Sequence, residues 1–218
     1  MNFISHFYCH GGLSNEFNFG LLFPDFLGIV DRRYKLNQFL SDYSGGNSEF
    51  VLGVKHHQLA DELWHYGDYF NQKTEAIKNV LKIHNMVDRP FRPFFMTHVM
   101  LELLLDRTIV RQEQEVAISL YESLEKIESK FLDELFNDRV LSSRFRGFFE
   151  NFTENRYTLS YAYNEKFIYA LNRLFERVKH PAIELQETDS FVLQLDEIIS
   201  KDYKIPLQEI SNERISKV

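Results

Sequence analysis

FFMTHVMLELLLDRTIV, residues 94–110, is apolar around nearly its whole circumference when wound at about 3.6 residues per turn. A segment of this kind forms a buried helix, and the fold is read outward from it. Three polar residues interrupt it at one spacing. His98, Glu102 and Asp106 are four apart, so each step drifts only about 40° and the three share a face. A buried carboxylate without a partner costs several kcal/mol, so this row needs compensation from a metal ion or from facing histidines.

Apolar residues recur at spacings of three and four along the rest of the chain, and alternating strand patterns are nearly absent, which predicts an all-α protein built as a single-domain helical bundle. The pattern predicts helices over 15–29, 35–42, 48–70, 73–86, 93–111, 113–136, 143–152, 158–178 and 190–200. Ser44-Gly45-Gly46-Asn47 reads as a loop with Ser48 as the N-cap that follows, and Pro93 suits a first helical position. Residues 1–180 read as the main domain and 181–218 as a helical extension or tail. With 218 residues and 15% aromatic content, the chain is long enough to bury one large core. The only cysteine, Cys9, cannot pair within the chain and reads as a small core residue; this fits a reducing, cytoplasmic setting. The N-terminus lacks the basic start of a signal peptide, and the apolar stretch 20–30 falls short of the roughly 20 residues of a membrane span.

A net charge of -7 argues against a nucleic-acid partner. The charge is uneven, and residues 139–180 hold a local basic excess that includes Arg144, Arg146, Lys166 and Arg173.

A second polar row matches the first. His57, Asp61 and His65 also stand at i, i+4 and i+8, so two stripes of imidazoles and carboxylates could face each other across neighbouring helices. Helical bundles build metal sites this way, and nitrogen and oxygen donors favour manganese, iron or zinc. Either row alone would be an ordinary His–carboxylate bridge along a helix surface. Asp25 lies inside the apolar stretch 20–30, and His6 interrupts Phe3, Ile4, Phe7 and Tyr8. His10, His56, His84 and His180 have no partner row and read as surface or loop residues. No glycine-rich phosphate loop, G-x-S-x-G elbow or H-E-x-x-H motif occurs.

These residues stand in the order of a known family. MNFISH with His6, the Gly20 to Phe26 segment with Asp25, the Gly53, His57 and Asp61 series, and the later pair His98 and Glu102 resemble the acyl carrier protein phosphodiesterase family, which is often compared with HD-type metal-dependent phosphohydrolases. Weaker similarity runs through Asn155-Arg156-Tyr157 and Leu171-Asn172-Arg173-Leu174, so the resemblance spans about residues 1–180. It implies an HD-like helical arrangement and a divalent-metal hydrolysis, usually with manganese, that frees phosphopantetheine from holo acyl carrier protein. It implies His6, Asp25, His57, Asp61, His98 and Glu102 as metal ligands, with Asp61 and Glu102 as catalytic carboxylates. Arg89 and Arg107 are candidate phosphate contacts, and Arg144 and Arg146 are candidates for docking the acidic carrier protein. The chain departs from the family at Leu21 (asparagine there), at His65, His98 and Glu102 (aspartates) and at Leu103 (histidine). Imidazole in place of carboxylate shifts metal preference toward zinc or iron. Two other readings are a zinc phospholipase C-like hydrolase and a non-catalytic helical protein in which the His and carboxylate groups pair with one another.

Overall fold

The computed structural model describes residues 1–84, 86, 93–177, 179, 182–183 and 188–213. Among the described residues twelve α-helices run in order: α1 (Phe3–His10), α2 (Asn15–Val30), α3 (Leu36–Asp42), α4 (Ser48–Tyr66), α5 (Asp68–Ile83), α6 (Pro93–Gln112), α7 (Gln114–Leu124), α8 (Ser129–Glu134), α9 (Arg139–Asn155), α10 (Asn164–Arg177), α11 (Thr188–Ile199) and α12 (Lys204–Asn212). A 3₁₀ helix, Tyr157–Ala162, links α9 to α10. Among the described residues there is no strand, and no helix is long and apolar enough to cross a membrane. The molecule is an all-α, single-domain bundle around α6, whose Leu101, Leu104, Leu105 and Ile109 are fully buried.

The closest helix contact is between α2 and α4. A β-carbon on Gly20 would lie 2.3 Å from the Phe50 carbonyl oxygen, and one on Gly53 would lie 2.2 Å from that of Phe17. Only two glycines facing each other let the backbones come this near. Beside this crossing, α2 sends Phe19, Phe23 and Phe26 into an aromatic core with Phe50, Phe145 and Phe149, where most ring pairs meet tilted or edge to face. Ser14 caps α2 by accepting from the Phe17 amide, and Asn47, not Ser48, caps α4 through the Phe50 amide.

Several predicted boundaries move. The 48–70 helix ends at Gly67, whose extended conformation stops α4 and leads into α5. The 113–136 helix divides into α7 and α8 although no glycine or proline marks the break. The 158–178 helix begins as a 3₁₀ segment because Arg156 adopts a left-handed backbone (φ 43°), held by two bonds from its guanidinium to Glu125. Helix α1 lies outside every predicted segment, and α12 lies within 181–218, the stretch read as a helical extension or tail. In the tail, α11 packs on α5, α6 and α10, and α12 packs on α1 and α4.

Gly53→Ala places a methyl carbon against backbone on the facing helix, which cannot move as a side chain would. It should lower unfolding free energy by about 1–3 kcal/mol or more in urea titration. Leu104→Ala, at a wholly buried position in α6, should cost about 2–5 kcal/mol by the same measurement.

Candidate metal centre

The glycine crossing sets the geometry of the polar groups. Asp25 follows Gly20 on α2, while His57 and Asp61 follow Gly53 by one and two turns on α4. His57 donates its Nδ1–H to the Leu21 carbonyl at 2.7 Å, because a carbonyl only accepts, and this turns Nε2 to the opposite side of the ring. That Nε2 lies 3.3 Å from Asp61 Oδ2. Metal-ligating histidines are commonly oriented through the opposite ring nitrogen in this way. His6 comes from α1, stacks on His57 with ring centroids 3.9 Å apart, and brings its Nε2 to 3.2 Å from Asp61 Oδ1. Among the described residues neither nitrogen of His6 makes a hydrogen bond, and Asp25 Oδ2 is buried without one. Buried polar atoms left unbonded are costly, and a divalent ion is the kind of partner this donor set accepts.

A second set adjoins the first. His98 Nε2 lies 2.8 Å from Glu102 Oε1, and His65 Nε2 lies 2.9 Å from His98 Nε2 and 3.5 Å from the same glutamate oxygen. Within each of the two groups, His6, His57, Asp61 and His65, His98, Glu102, the donor atoms are close enough to share an ion. The Met1 amino nitrogen contacts both, at 2.7 Å from Asp61 Oδ1 and 2.9 Å from Glu102 Oε1. Five of the six sequence-predicted ligands thus fall, with His65, into two adjoining groups and not around one point. Asp25 belongs to neither close group.

Charge and burial oppose one another throughout. Burial, with the charge of His57, pushes the His6 pKa down to about 3 and keeps its imidazole neutral, as a metal ligand must be. Burial also disfavours charge on His57, but Asp25 and Asp61 outweigh it and raise the pKa. The Asp61 carboxyl is desolvated too, yet His6, the Met1 ammonium and His57 hold it far below the usual range. Glu102 behaves alike beside the ammonium, His65 and His98. Asp25 lacks such partners, and burial pushes it up to about 7. The Met1 amine loses hydration but is raised to about 11 by Glu102 and Asp61, so it carries one positive charge between two carboxylates.

Asp25 and Glu102 line one cavity of about 620 Å³, together with Leu103 and the α10 cations Lys166 and Arg173. Arg173 bridges Glu176 at 2.7 Å, while Lys166 has no acidic partner among the described residues. Leu103, where the resembled family shows histidine, is part of the apolar wall.

Other expectations are corrected. Asp106, third in the α6 row, turns away from the centre and accepts from the Ile4 and Ser5 amides at 3.1 and 2.9 Å, capping α1. Arg107 is no phosphate contact: fully buried, it binds Asp196 at 2.9 and 3.1 Å, the Tyr161 and Ala162 carbonyls and Asn164. Every face of its guanidinium is already used. Arg89 lies outside the described residues. Arg144 bonds Asp31 and the Val30 carbonyl, and Arg146 bonds Asp133 and the Ser129 carbonyl. His10 and His56 are buried in edge contact with each other, with Phe17 against His56, and are not surface residues. His84 ends α5 against Phe191 and Gln194, and His180 is outside the described residues. Cys9 is buried in the core.

Sequence reasoning left two groups out of the site. His65 stood in the α4 row, and its i+4 spacing from Asp61 was the signal. The Met1 amine had none, because only folding brings it to α4 and α6. Compared with known protein families, characterised proteins and solved structures, the chain has no match.

The α1 cap generates a pH test. Burial, against the two amide bonds, raises the Asp106 pKa from 3.8 to about 7. Protonated Asp106 therefore adds stability fully present below about pH 4 and lost as pH rises through about 7. Asp106→Asn cannot ionise, so wild type should lose stability relative to this variant between about pH 4 and pH 8, read from urea midpoints across that range.

Proposed function

We propose that the protein is a divalent-metal-dependent phosphodiester hydrolase. The observation that carries this reading is that Glu102, of the second donor group, and the buried Asp25 of α2 line one cavity that also carries Lys166 and Arg173. A phosphoryl group in that cavity would meet Asp25 and Glu102 together with two cations.

A divalent ion supplies the Lewis acidity: it makes a water acidic enough to attack near neutral pH and draws charge from the phosphoryl oxygens. The chain supplies the rest. His6 offers a neutral imidazole, His57 a ring nitrogen held against Asp61, Asp61 an ionised carboxylate, and Asp25 a further carboxyl group on the facing helix. The Leu21 carbonyl fixes the His57 tautomer. Ile29, Val99, Leu103 and Phe148 give the cavity apolar walls that suit an uncharged arm of the substrate and exclude water from the ester. Leu103 cannot donate a proton, so a leaving group of low basicity is favoured.

Holo acyl carrier protein is the first substrate to test, on the motif resemblance. Lys166 and Arg173 are better placed than Arg144 and Arg146 to receive an anionic group, since they line the cavity and the latter pair do not.

The contact of the Met1 ammonium with Asp61 and Glu102 favours a second reading, a non-catalytic protein whose polar groups compensate one another without an ion.

Elemental analysis of protein purified without added metal separates the two, followed by assay with manganese, zinc or ferrous ion on bis(p-nitrophenyl) phosphate and holo carrier protein. The expected outcome is bound metal and turnover of at least one substrate, with both lost in Asp61→Ala. Lys166→Ala should keep the metal and raise KM for the anionic substrate by up to about fivefold, the scale of one exposed charge pair. Absence of metal under all conditions would select the non-catalytic reading.

A further inference from the structure

The second group of donors has more order than a helix-surface bridge requires. A His–Glu pair one turn apart saturates itself with one hydrogen bond. Here a second imidazole, from another helix, brings its Nε2 to the same point: 2.9 Å from His98 Nε2 and 3.5 Å from Glu102 Oε1, against 2.8 Å for the pair itself. Protons alone cannot satisfy all three mutual contacts of two Nε2 atoms and a carboxylate oxygen, because each Nε2 carries at most one and a protonated ring nitrogen cannot accept. Donor atoms placed about 2.1 Å from one ion lie about 3.0–3.4 Å apart in octahedral or tetrahedral order. The observed sides, 2.8, 2.9 and 3.5 Å, bracket that range to within about 0.2 Å.

The rings are also aimed. Phe70, itself buried, stands edge-on to both, 5.2 Å from His65 and 5.1 Å from His98, so one side chain sets the direction of two donors. Two imidazoles and one carboxylate suit zinc, ferrous or cobaltous ion better than calcium or magnesium. The group is distinct from His6, His57 and Asp61 yet adjoins it, since one amino nitrogen touches a carboxylate of each. Burial differs as well: His6 and His57 are enclosed, whereas His65 and His98 remain partly open to solvent.

We propose that His65, His98 and Glu102 form a second divalent-ion site, so that the centre holds two ions with Asp61 and Glu102 as its inner carboxylates. This rests on the metal reading of the first group and extends it. Glu102 lines the cavity, so the second ion would stand at its wall, within reach of a phosphoryl group bound there. The second site, being more exposed, exchanges its ion faster than the first.

The test uses the full chain, stripped with chelator and titrated with cobaltous ion, followed by visible absorption and by elemental analysis after desalting. Wild type should take two ions per chain. His65→Ala and His98→Ala should each take one, and adding His57→Ala to either should leave none. A wild type that takes one ion, retained in both His65→Ala and His98→Ala and lost in His57→Ala, overturns the second site and leaves the first standing. A wild type that takes none overturns both. His65 is about one-third exposed, so its replacement should not unfold the chain; if His98→Ala fails to fold by circular dichroism, His65→Asn serves as the second variant.

Discussion

The backbone approach of α2 and α4 at Gly20 and Gly53 is the constraint on which the rest of the structure depends. With no side chain on either glycine, the Phe17 and Phe50 carbonyls come within a distance no β-carbon tolerates. That nearness brings the Leu21 carbonyl within reach of His57 Nδ1. The bond fixes the imidazole, and its other nitrogen then faces Asp61. Pro24 contributes on the α2 side, because it has no amide to return to the Gly20 carbonyl and its ring crowds the turn preceding it. The two glycines therefore act on the chemistry without touching it, by setting the register in which two polar rows meet. On the other face of α2, phenylalanines lock that register in the core.

Charge balance is the second organising demand. An uncompensated carboxylate buried in such a core costs several kcal/mol, so each must find a partner, and the three acids of the α4 and α6 rows find different ones. Asp61 and Glu102 gather imidazoles and the Met1 ammonium. Asp106 is one turn beyond Glu102 on α6 and takes the free amides of α1. This cap connects structure to site, since α1 also carries His6. Asp25 has no comparable partner, and its raised pKa records that deficit. A divalent ion would relieve it together with the unbonded nitrogens of His6.

The sequence by itself determined the helical class, the burial of residues 94–110 and the need for the rows at 57, 61, 65 and 98, 102, 106 to be compensated. Those follow from periodicity, which is local and survives in any tertiary arrangement. Spacing gave which residues share a helix face but not what lies opposite. Asp106 and Glu102 look equivalent in the row, and only the position of α1 separates a cap from a site residue. Arg107 could be a free cation until α11 supplies Asp196 and the 3₁₀ segment supplies two carbonyls. The divided helix at 113–136, the grouping of five predicted ligands with His65 into two sets, and the entry of Met1 between them were decided by tertiary structure alone. They depend on the distance and angle between helices far apart in sequence, and these are fixed by close packing at contacts such as Gly20 on Gly53, not by any propensity of the residues concerned.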